Sequence, residues 1–535
     1  MPSNDAIVVA VRPGSALDAR PRLFAALAAA FGIRFRAWGE GCDLPDAVVV
    51  LGAATPAELA QLGVPVFAAL DGAPGDAEDV RVLDRCAVDR RVRAIVLAGE
   101  RLGLPLEASD ESAEVLAVAP SGPVWTRSRG RDAVHRVRVG LPELAPTEVL
   151  LEALSPRRAL ALLALVHFLR SLTGRDRMPP VRAAFVFDDP NLRWRSYGFI
   201  DYGRLVNHAD SHGYHAAMAM IPLDAGRPSP AALALFRQRP DRLSLVFHGN
   251  NHVKRELMAQ DDASAVALAA QALRRIGRFE RRSGLDVDRV MTAPHGMCSP
   301  SVARALGAVG FDALCAIHPL PWSEQPPQDR LLAGWDPAEF AGGCAVIPRF
   351  TLDWTEAEIA LRAFLGHPLI VYGHHQDVAR GLDPLADAAA RINRLGDVEW
   401  TSLGRVALGN HELRMSGDTA LVRPFARRST VALPDRASTL VVQPPRGAGP
   451  ALLGWSPARG GPLVPFGAAV ECTPGRPYEL TLRVAGAVDP STVAPPAWRP
   501  WPVLRRAATE ARDRALPMRR RSQLLTRTQS ARASL

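Results

Sequence analysis

The sequence predicts an α/β protein of several domains, with a central (β/α) barrel, an N-terminal open-sheet domain and a small C-terminal β-sandwich. Short, uninterrupted apolar runs recur along the middle of the chain, as expected for strands buried on both faces of a parallel sheet. Helical periodicity separates most of these runs, and this alternation is typical of βα units. At 535 residues, the chain is also too long for a single domain.

Residues 1–145 are predicted to form an α/β domain with an open parallel, flavodoxin-like sheet. Its strand candidates are residues 6–11, 47–51, 64–69 and 93–98, and its helix candidates are residues 21–31 and 56–62. No glycine-rich phosphate-binding pattern follows these strands, so a structural or partner-binding domain is favoured over a nucleotide site. Residues 146–180 are predicted to be a helical connector to the barrel.

Two apolar runs of the central region end in residues that bind divalent metals. Residues 183–187 precede Asp188 and Asp189, and residues 243–247 precede His248, with His252 four positions further on. In a barrel, residues that follow the strands lie on the face where active sites form. Two imidazoles and a carboxylate make a three-ligand site with room for water and substrate. Paired aspartates also cap helices and histidines are often ordinary loop residues, so the combination favours a metal site more than either motif alone.

Three further runs end in polar residues that are expected at the same face of the barrel. Residues 289–293 precede Pro294 and His295, residues 313–317 precede His318, and residues 368–372 end in Tyr372 and precede His374 and His375. Five of the 13 histidines in the chain therefore follow predicted strands closely. We interpret His295 as a pocket-lining residue, although an ordinary loop position remains the simpler interpretation for both His295 and His318.

The order of these motifs resembles the polysaccharide deacetylase domain (NodB homology, carbohydrate esterase family 4) over about residues 181–410. The resemblance implies a distorted (β/α) barrel and a metal-dependent hydrolase of amide or ester bonds in N-acetylated sugars. It assigns the catalytic base to Asp188, the metal ligands to Asp189, His248 and His252, and the general acid to His374, with His375 as the alternative.

Several positions depart from the family pattern. Pro190 follows the aspartates where the family usually has glycine, and Gly249 stands where it has serine or threonine. The arginine that the family uses to orient the base is missing before Pro294. These departures bear on the substrate and on the residues that support the metal ligands. The candidates for substrate contacts are Asn191, Asn251, Pro294, His295, Trp322 and Tyr372.

Two functions from different classes follow from this region. The first is a C–N bond hydrolase for a carbohydrate or small amide, with one divalent metal ion, zinc by default, although the ligand set also suits other first-row ions. The second is a catalytically altered relative that binds a saccharide or protein partner, for which the missing arginine is the motivation. Turnover that needs both the metal and Asp188 distinguishes the first from the second.

The pattern changes again after residue 410. Residues 411–490 are predicted to form the β-sandwich, with strand candidates at residues 419–422, 429–433, 439–442 and 478–484. A role in binding carbohydrate and a purely structural role are equally consistent with it. Residues 491–535 are predicted to be a proline-rich linker and a basic tail, disordered or a solvated helix.

Charge and cysteine usage set the remaining expectations. The net charge is +9, of which residues 501–535 carry +7 because they hold nine arginines and two acids. Since most of the net positive charge lies in this tail, we do not expect a nucleic-acid partner. Six cysteines without CxxC spacing, no recognisable signal peptide and no apolar run long enough to span a membrane favour a cytoplasmic location. No oligomeric state follows from the sequence.

Overall fold

The computed structural model describes residues 7–39, 43–70, 75–103, 106, 113–128, 130, 132–175, 180–259, 261–317, 331–458 and 460–533, with side chains described up to residue 518. The chain forms two compact units, and the architecture is mixed α/β with several sheets. Unit 1 holds residues 1–178, 324–336 and 355–366, and unit 2 holds residues 179–323, 337–354 and 367–535.

The described part of unit 1 contains a nine-stranded mixed sheet in the order β2-β1-β3-β4-β9-β8-β7-β5-β6. Its strands are β1 (Val8–Arg12), β2 (Arg34–Ala37), β3 (Ala47–Leu51), β4 (Val66–Ala69), β5 (Ala77–Val82), β6 (Val96–Arg101), β7 (Glu114–Ala119), β8 (Gly122–Arg127) and β9 (Val134–Val137). Its first helices are α1 (Ser15–Ala19), α2 (Pro21–Phe31), α3 (Pro56–Ala60), α4 (Leu150–Ala153) and α5 (Leu160–Leu172).

The prediction of an all-parallel sheet is wrong for half of this sheet. Strands β2, β1, β3, β4 and β9 are parallel, whereas β8, β7, β5 and β6 pair antiparallel. Only Pro120 and Ser121 connect β7 to β8, and a two-residue connection joins antiparallel strands. The strand predicted at residues 93–98 falls on β6, which is an antiparallel edge strand rather than part of the parallel set.

Residues 146–175 are a core element of unit 1 rather than a connector. Helix α5 packs on β4 and β9, and Phe168 contacts Phe67 with ring centroids 6.0 Å apart. Residues 160–166 of this helix are all apolar and buried, and a stretch that is apolar all round must lie in the core. Among the described residues, no helix has both the length and the apolar composition required to cross a membrane.

Glu100 gives unit 1 a testable dependence on pH. Its side chain is buried, and its carboxylate accepts a 2.9 Å hydrogen bond from the backbone N–H of Leu160. Burial raises the pKa of Glu100 from 4.5 to about 7. Because the folded pKa lies above the unfolded one, the carboxylate destabilises the fold increasingly as the pH rises from 4.5 to about 7. We expect Glu100→Gln to raise the free energy of unfolding by about 3 kcal/mol at pH 8, because it removes the buried charge. At pH 4, where Glu100 is protonated in the folded protein, the free energy of unfolding should hardly change. Urea unfolding at the two pH values measures both. An equal change at both pH values would contradict this explanation.

Unit 2 is built on a second sheet, in the order β17-β18-β16-β15-β14-β13-β10-β19, with β20 paired to β10. Its strands, together with the short β11–β12 pair, are β10 (Val181–Asp188), β11 (Ser196–Tyr197), β12 (Ile200–Asp201), β13 (Ala216–Met220), β14 (Leu243–His248), β15 (Asp288–Thr292), β16 (Ala313–Ile317), β17 (Glu339–Ala341), β18 (Cys344–Arg349), β19 (Leu369–Gly373) and β20 (Val398–Trp400). The helices of this stretch are α6 (Tyr202–His212), α7 (Pro230–Gln238), α8 (Asp262–Ser283), α9 (Pro300–Val309), α10 (Glu356–Phe364), α11 (Asp383–Asn393) and α12 (Leu403–Leu408).

All neighbouring strands of this sheet are parallel except β17, so their carboxyl ends lie at one edge. A bridge between Phe350, just after β18, and Val371 connects β19, at one end of the strand order, with the second strand from the other end. Phe350 N–H donates to the carbonyl of Ile370 (3.0 Å), and Tyr372 N–H donates to the carbonyl of Phe350 (2.8 Å). Helix α10 and residues 324–336 belong to unit 1, so the predicted domain at residues 181–410 is not one uninterrupted unit.

Two smaller sheets follow in unit 2, in the orders β21-β22-β24-β26 and β23-β27-β25. Their strands are β21 (His411–Ser416), β22 (Thr419–Pro424), β23 (Arg428–Ala432), β24 (Thr439–Val442), β25 (Leu452–Pro457), β26 (Ala469–Glu471) and β27 (Pro477–Val484). Val422 and Leu440 from the first sheet share one buried apolar cluster with Val431, Trp455 and Leu480 from the second. The four strand candidates in this region overlap β22, β23, β24 and β27.

The last described element is helix α13 (Pro500–Ala533). The basic tail was predicted to be disordered or a solvated helix. This prediction is wrong for the first half of α13, because Arg506, Glu510 and Asp513 are buried. Their spacing of four and three residues puts them on one face of the helix. This face is charged rather than apolar, and a search for apolar periodicity therefore misses it.

Candidate metal centre

The structure brings together the three residues that the sequence predicts as metal ligands. Oδ1 of Asp189 lies 3.4 Å from Nε2 of His252 and 3.9 Å from Nε2 of His248. All three ligand atoms lie within 4.8 Å of one another. Ligand atoms at about 2.1 Å from a tetrahedral ion are about 3.4 Å apart, so the spacing suits an ion such as zinc with little adjustment.

His248 is the last residue of β14, and its ring is fixed by Thr292 at the end of β15. Nδ1 of His248 lies 3.0 Å from Thr292 Oγ1 and 3.2 Å from the Thr292 carbonyl oxygen. Since a carbonyl oxygen only accepts hydrogen bonds, Nδ1 carries the proton and Nε2 keeps a lone pair for a metal. Burial lowers the pKa of His248 to about 4, so the ring is neutral at pH 7.

His252 is held by a compact loop that is organised around Glu256. The buried Glu256 carboxylate accepts hydrogen bonds from the backbone N–H groups of Asn250 (2.9 Å), Asn251 (2.6 Å) and His252 (2.9 Å). Burial lowers the pKa of His252 to about 3, and the Arg506 guanidinium adds to this effect. Glu256 was not among the candidates from the sequence, although its position four residues after a predicted histidine ligand is visible there.

The same loop explains why glycine occupies position 249. Gly249 has a φ of +61°, which strains any residue with a side chain. A Cβ atom there would lie 2.5 Å from Glu256 Oε2 and 2.8 Å from Pro294 Cγ. The departure from the serine or threonine of the family pattern is therefore a consequence of this tight packing.

The surroundings of the Asp189 carboxylate suit a cation. Its Oδ1 atom is buried and has no hydrogen-bond partner in the described part of the chain. Arg506 Nη1 forms an ion pair with Oδ1 at 3.6 Å, but the atom accepts no hydrogen bond, and a bound cation would supply a close contact. Asp189 also has a φ of +79°, a strained conformation for a residue other than glycine. This conformation accompanies the approach of the carboxylate to both imidazoles, so the residues present fit a divalent ion.

Asp188, at the end of β10, is paired with Arg349, the last residue of β18. Nη1 of Arg349 donates a 2.8 Å hydrogen bond to Asp188 Oδ1, and Nη2 donates a 3.0 Å bond to the carbonyl of Ala293. Both side chains are buried. Burial raises the pKa of Asp188, but Arg349 and His248 outweigh it and lower the pKa to about 2. The motif before Pro294 does lack an arginine, but β18 supplies a guanidinium to Asp188 from another part of the chain.

The two candidate acids after β19 occupy different surroundings. His374 is exposed, and it lies near enough to Asp188 to contribute to lowering the pKa of that carboxyl. His375 is buried between the rings of Tyr197 and Phe199, with centroids 5.5 and 5.7 Å away. Its Nε2 lies 3.7 Å from Asp513 Oδ1 on α13.

The other candidates for substrate contacts are only partly gathered around this centre. His295 is exposed, and its ring centroid lies 5.2 Å from that of His252. Tyr372 is half-buried, with the Arg349 guanidinium 4.2 Å from its ring centroid.

The remaining candidates for substrate contacts either pack within the loops or lie outside the described residues. Asn191 is fully buried and accepts a 2.6 Å hydrogen bond from Tyr202 Oη on its carbonyl, so it supports its loop instead of facing a substrate. Asn251 accepts from Arg275 (2.7 Å), and Pro294 is buried against residue 249. Trp322 and His318 lie outside the described residues.

No protein-family model and no curated protein matches the chain. Among solved structures, the chain is similar to a protein from Mycobacterium smegmatis assigned to the polysaccharide deacetylases, with 14% identity, a TM-score of 0.30 and coverage of 42% of this chain and 89% of that one. It is also similar to a family 4 carbohydrate esterase from Streptomyces lividans (13% identity, TM-score 0.25, 41% and 88% covered). A third similar structure is a family 4 pseudoenzyme from Bacillus anthracis, with 12% identity, a TM-score of 0.25 and coverage of 42% of this chain and 64% of that one.

Proposed function

We propose that this chain is a metal-dependent hydrolase of C–N bonds that deacetylates an N-acetylated sugar or a related small amide. The observation that carries the proposal is the meeting of Asp189, His248 and His252 beside the ionised Asp188. Two neutral imidazoles and one carboxylate are a ligand set for one divalent ion, with zinc as our first choice. A divalent ion bound there would lower the pKa of a bound water and polarise the acyl carbonyl of the substrate.

Asp188 is the residue that we assign as the general base. Its lowered pKa keeps it a carboxylate at neutral pH, as a proton acceptor must be. Arg349 occupies Oδ1, so Oδ2 is the atom that we assign to take the proton from the attacking water. Arg349 also holds the carbonyl of Ala293, which fixes the guanidinium and through it the base.

His374 is the residue that we favour as the general acid. As the C–N bond breaks, the leaving nitrogen needs one proton, while Asp188 has gained one from water. His374 is exposed and near enough to Asp188 to help lower the pKa of that carboxyl, whereas His375 is enclosed by aromatic rings and faces Asp513. This difference in surroundings supports His374 over His375.

The wider architecture is interpreted in the same way. We regard the parallel sheet of unit 2 as a distorted barrel that closes at Phe350 and Val371, and the two smaller sheets as a β-sandwich. The alternative function, a catalytically altered relative, was motivated by the missing arginine. We do not favour it, because Arg349 supplies a guanidinium to the proposed base, Asp188. The cytoplasmic location expected from the sequence stays a prediction.

Metal removal tests the proposed reaction. We expect purified, zinc-supplied protein to release acetate from one or more members of a panel of N-acetylated sugars and small amides. A chelator should abolish the release and added metal should restore it, because Asp188 alone cannot activate water at neutral pH. His248→Ala should be inactive, whereas His212→Ala, which removes an exposed histidine from α6, should act like the wild type. Release that survives both chelation and His248→Ala would refute the proposal.

A further inference from the structure

Helix α13 lies against the loop that carries the predicted metal ligand Asp189. We call residues 189–199 the Asp189 loop. Nε and Nη2 of Arg506 donate hydrogen bonds of 2.9 and 2.7 Å to Asp224, and Nη1 of Arg506 lies 3.6 Å from Asp189 Oδ1. The neighbouring Arg505 donates to the backbone carbonyl of His252. The start of the helix therefore contacts the loops of two metal-ligand candidates.

Glu510, one turn further along α13, binds the middle of the Asp189 loop. Its Oε2 accepts a 2.7 Å hydrogen bond from Arg193 Nη1, and its Oε1 accepts bonds of 2.9 and 2.7 Å from Arg514. Arg514 in turn lies 3.5 Å from Asn191 Oδ1 and contacts the carbonyl of Ser196 at 3.4 Å. One carboxylate of the helix thus connects to three positions of the loop.

Asp513 binds the far end of the Asp189 loop. Its Oδ2 accepts a 2.9 Å hydrogen bond from Tyr197 Oη, and its Oδ1 faces His375 at 3.7 Å. The Asp513 and Tyr197 side chains are both buried, so this hydrogen bond is shielded from water. The helix therefore holds the loop along its length through Arg506, Glu510 and Asp513.

The backbone of the loop explains why such support matters. The positive φ of Asp189 is a strained conformation for a residue with a side chain, and it persists only where neighbouring structure holds it. If the loop relaxed toward ordinary backbone angles, the Asp189 carboxylate would turn away from the two imidazoles. We propose that α13 is a strap that holds the Asp189 loop in its metal-binding conformation, with Glu510 and Asp513 as positioning residues. This inference rests on the proposed metal site.

The test measures metal binding directly, with cobalt(II) as the probe, because its visible absorption reports the ligand geometry. Glu510→Gln and Asp513→Asn keep the shape of each side chain but remove the charge that binds the loop. We expect each variant to bind cobalt at least about tenfold more weakly than the wild type, as for other residues that orient metal ligands, with a changed absorption spectrum. Tyr197→Phe removes the hydrogen-bond partner of Asp513. The double variant Asp513→Asn/Tyr197→Phe should therefore bind cobalt no more weakly than the weaker-binding of the two single variants.

Controls separate a local effect from general damage. Leu504→Ala changes an exposed residue of the same helix, and Glu471→Gln removes a charge from an exposed residue of β26. Both should bind cobalt like the wild type. Wild-type affinity and spectrum in both Glu510→Gln and Asp513→Asn would overturn the strap and leave the metal site standing. A wild-type protein that binds no cobalt would overturn the metal site itself, and the strap with it.

Discussion

Asp188→Asn is expected to lower kcat/KM for amide hydrolysis by about 10²–10⁴-fold, the range usual for the loss of a general base. Asparagine has nearly the same shape, and its carbonyl oxygen still accepts the hydrogen bond from Arg349. It does not take a proton from water, so the loss appears in turnover. Because the predicted ligands Asp189, His248 and His252 are untouched, the metal content should stay at the wild-type level.

The comparison needs a substitution of the same chemistry away from the site. Asp286→Asn changes an exposed aspartate before β15 and should leave kcat/KM unchanged. Acetate release by both variants, with metal content measured on the same samples, separates the base from the metal. If Asp188→Asn turned over like Asp286→Asn, Asp188 would have no role as base.

Arg349→Leu is expected to destabilise the protein by about 3–5 kcal/mol, the usual cost of removing one partner from a buried ion pair. The Asp188 carboxylate would be left buried without its guanidinium, and the carbonyl of Ala293 would lose a donor. The folded pKa of Asp188 is lowered to about 2, below its ordinary value of 3.8. The contribution of the pair is therefore complete above about pH 4 and is lost as the pH falls through 2.

Urea unfolding at pH 7 measures this loss. The double variant Asp188→Asn/Arg349→Leu should recover part of the stability, because no buried charge is then left alone. Arg405→Leu, at an exposed position of α12, should change the free energy of unfolding by less than about 0.5 kcal/mol. Equal stability of Arg349→Leu and Arg405→Leu would mean that the pair with Asp188 does not stabilise the fold.

The sequence was sufficient to predict Asp189, His248 and His252 because the signals are local. Each follows a buried apolar run closely, and parallel neighbouring strands bring such ends to one edge of a sheet. Here β10 pairs with β13, β13 with β14, and β14 with β15, which places the Asp188–Asp189 pair near His248. No knowledge of the complete strand order was needed for that step.

Arg349 escaped prediction because its partner lies 161 positions away along the chain. The pairing depends on β18 and β19 meeting through Phe350 and Val371, and no local pattern encodes that meeting. Helix α13 escaped for another reason, since the face that it buries is made of charges that resemble a solvated surface until their partners are known. In unit 1, the antiparallel half was missed because the two-residue turn between β7 and β8 was not recognised.

Metal content is the most direct test of the central claim that Asp189, His248 and His252 bind one divalent ion. Elemental analysis would be done on wild-type protein and on His248→Ala and His252→Ala, after loading with zinc and dialysis. The account predicts one ion per wild-type chain and almost none in either variant. Equal metal content in all three proteins would contradict it.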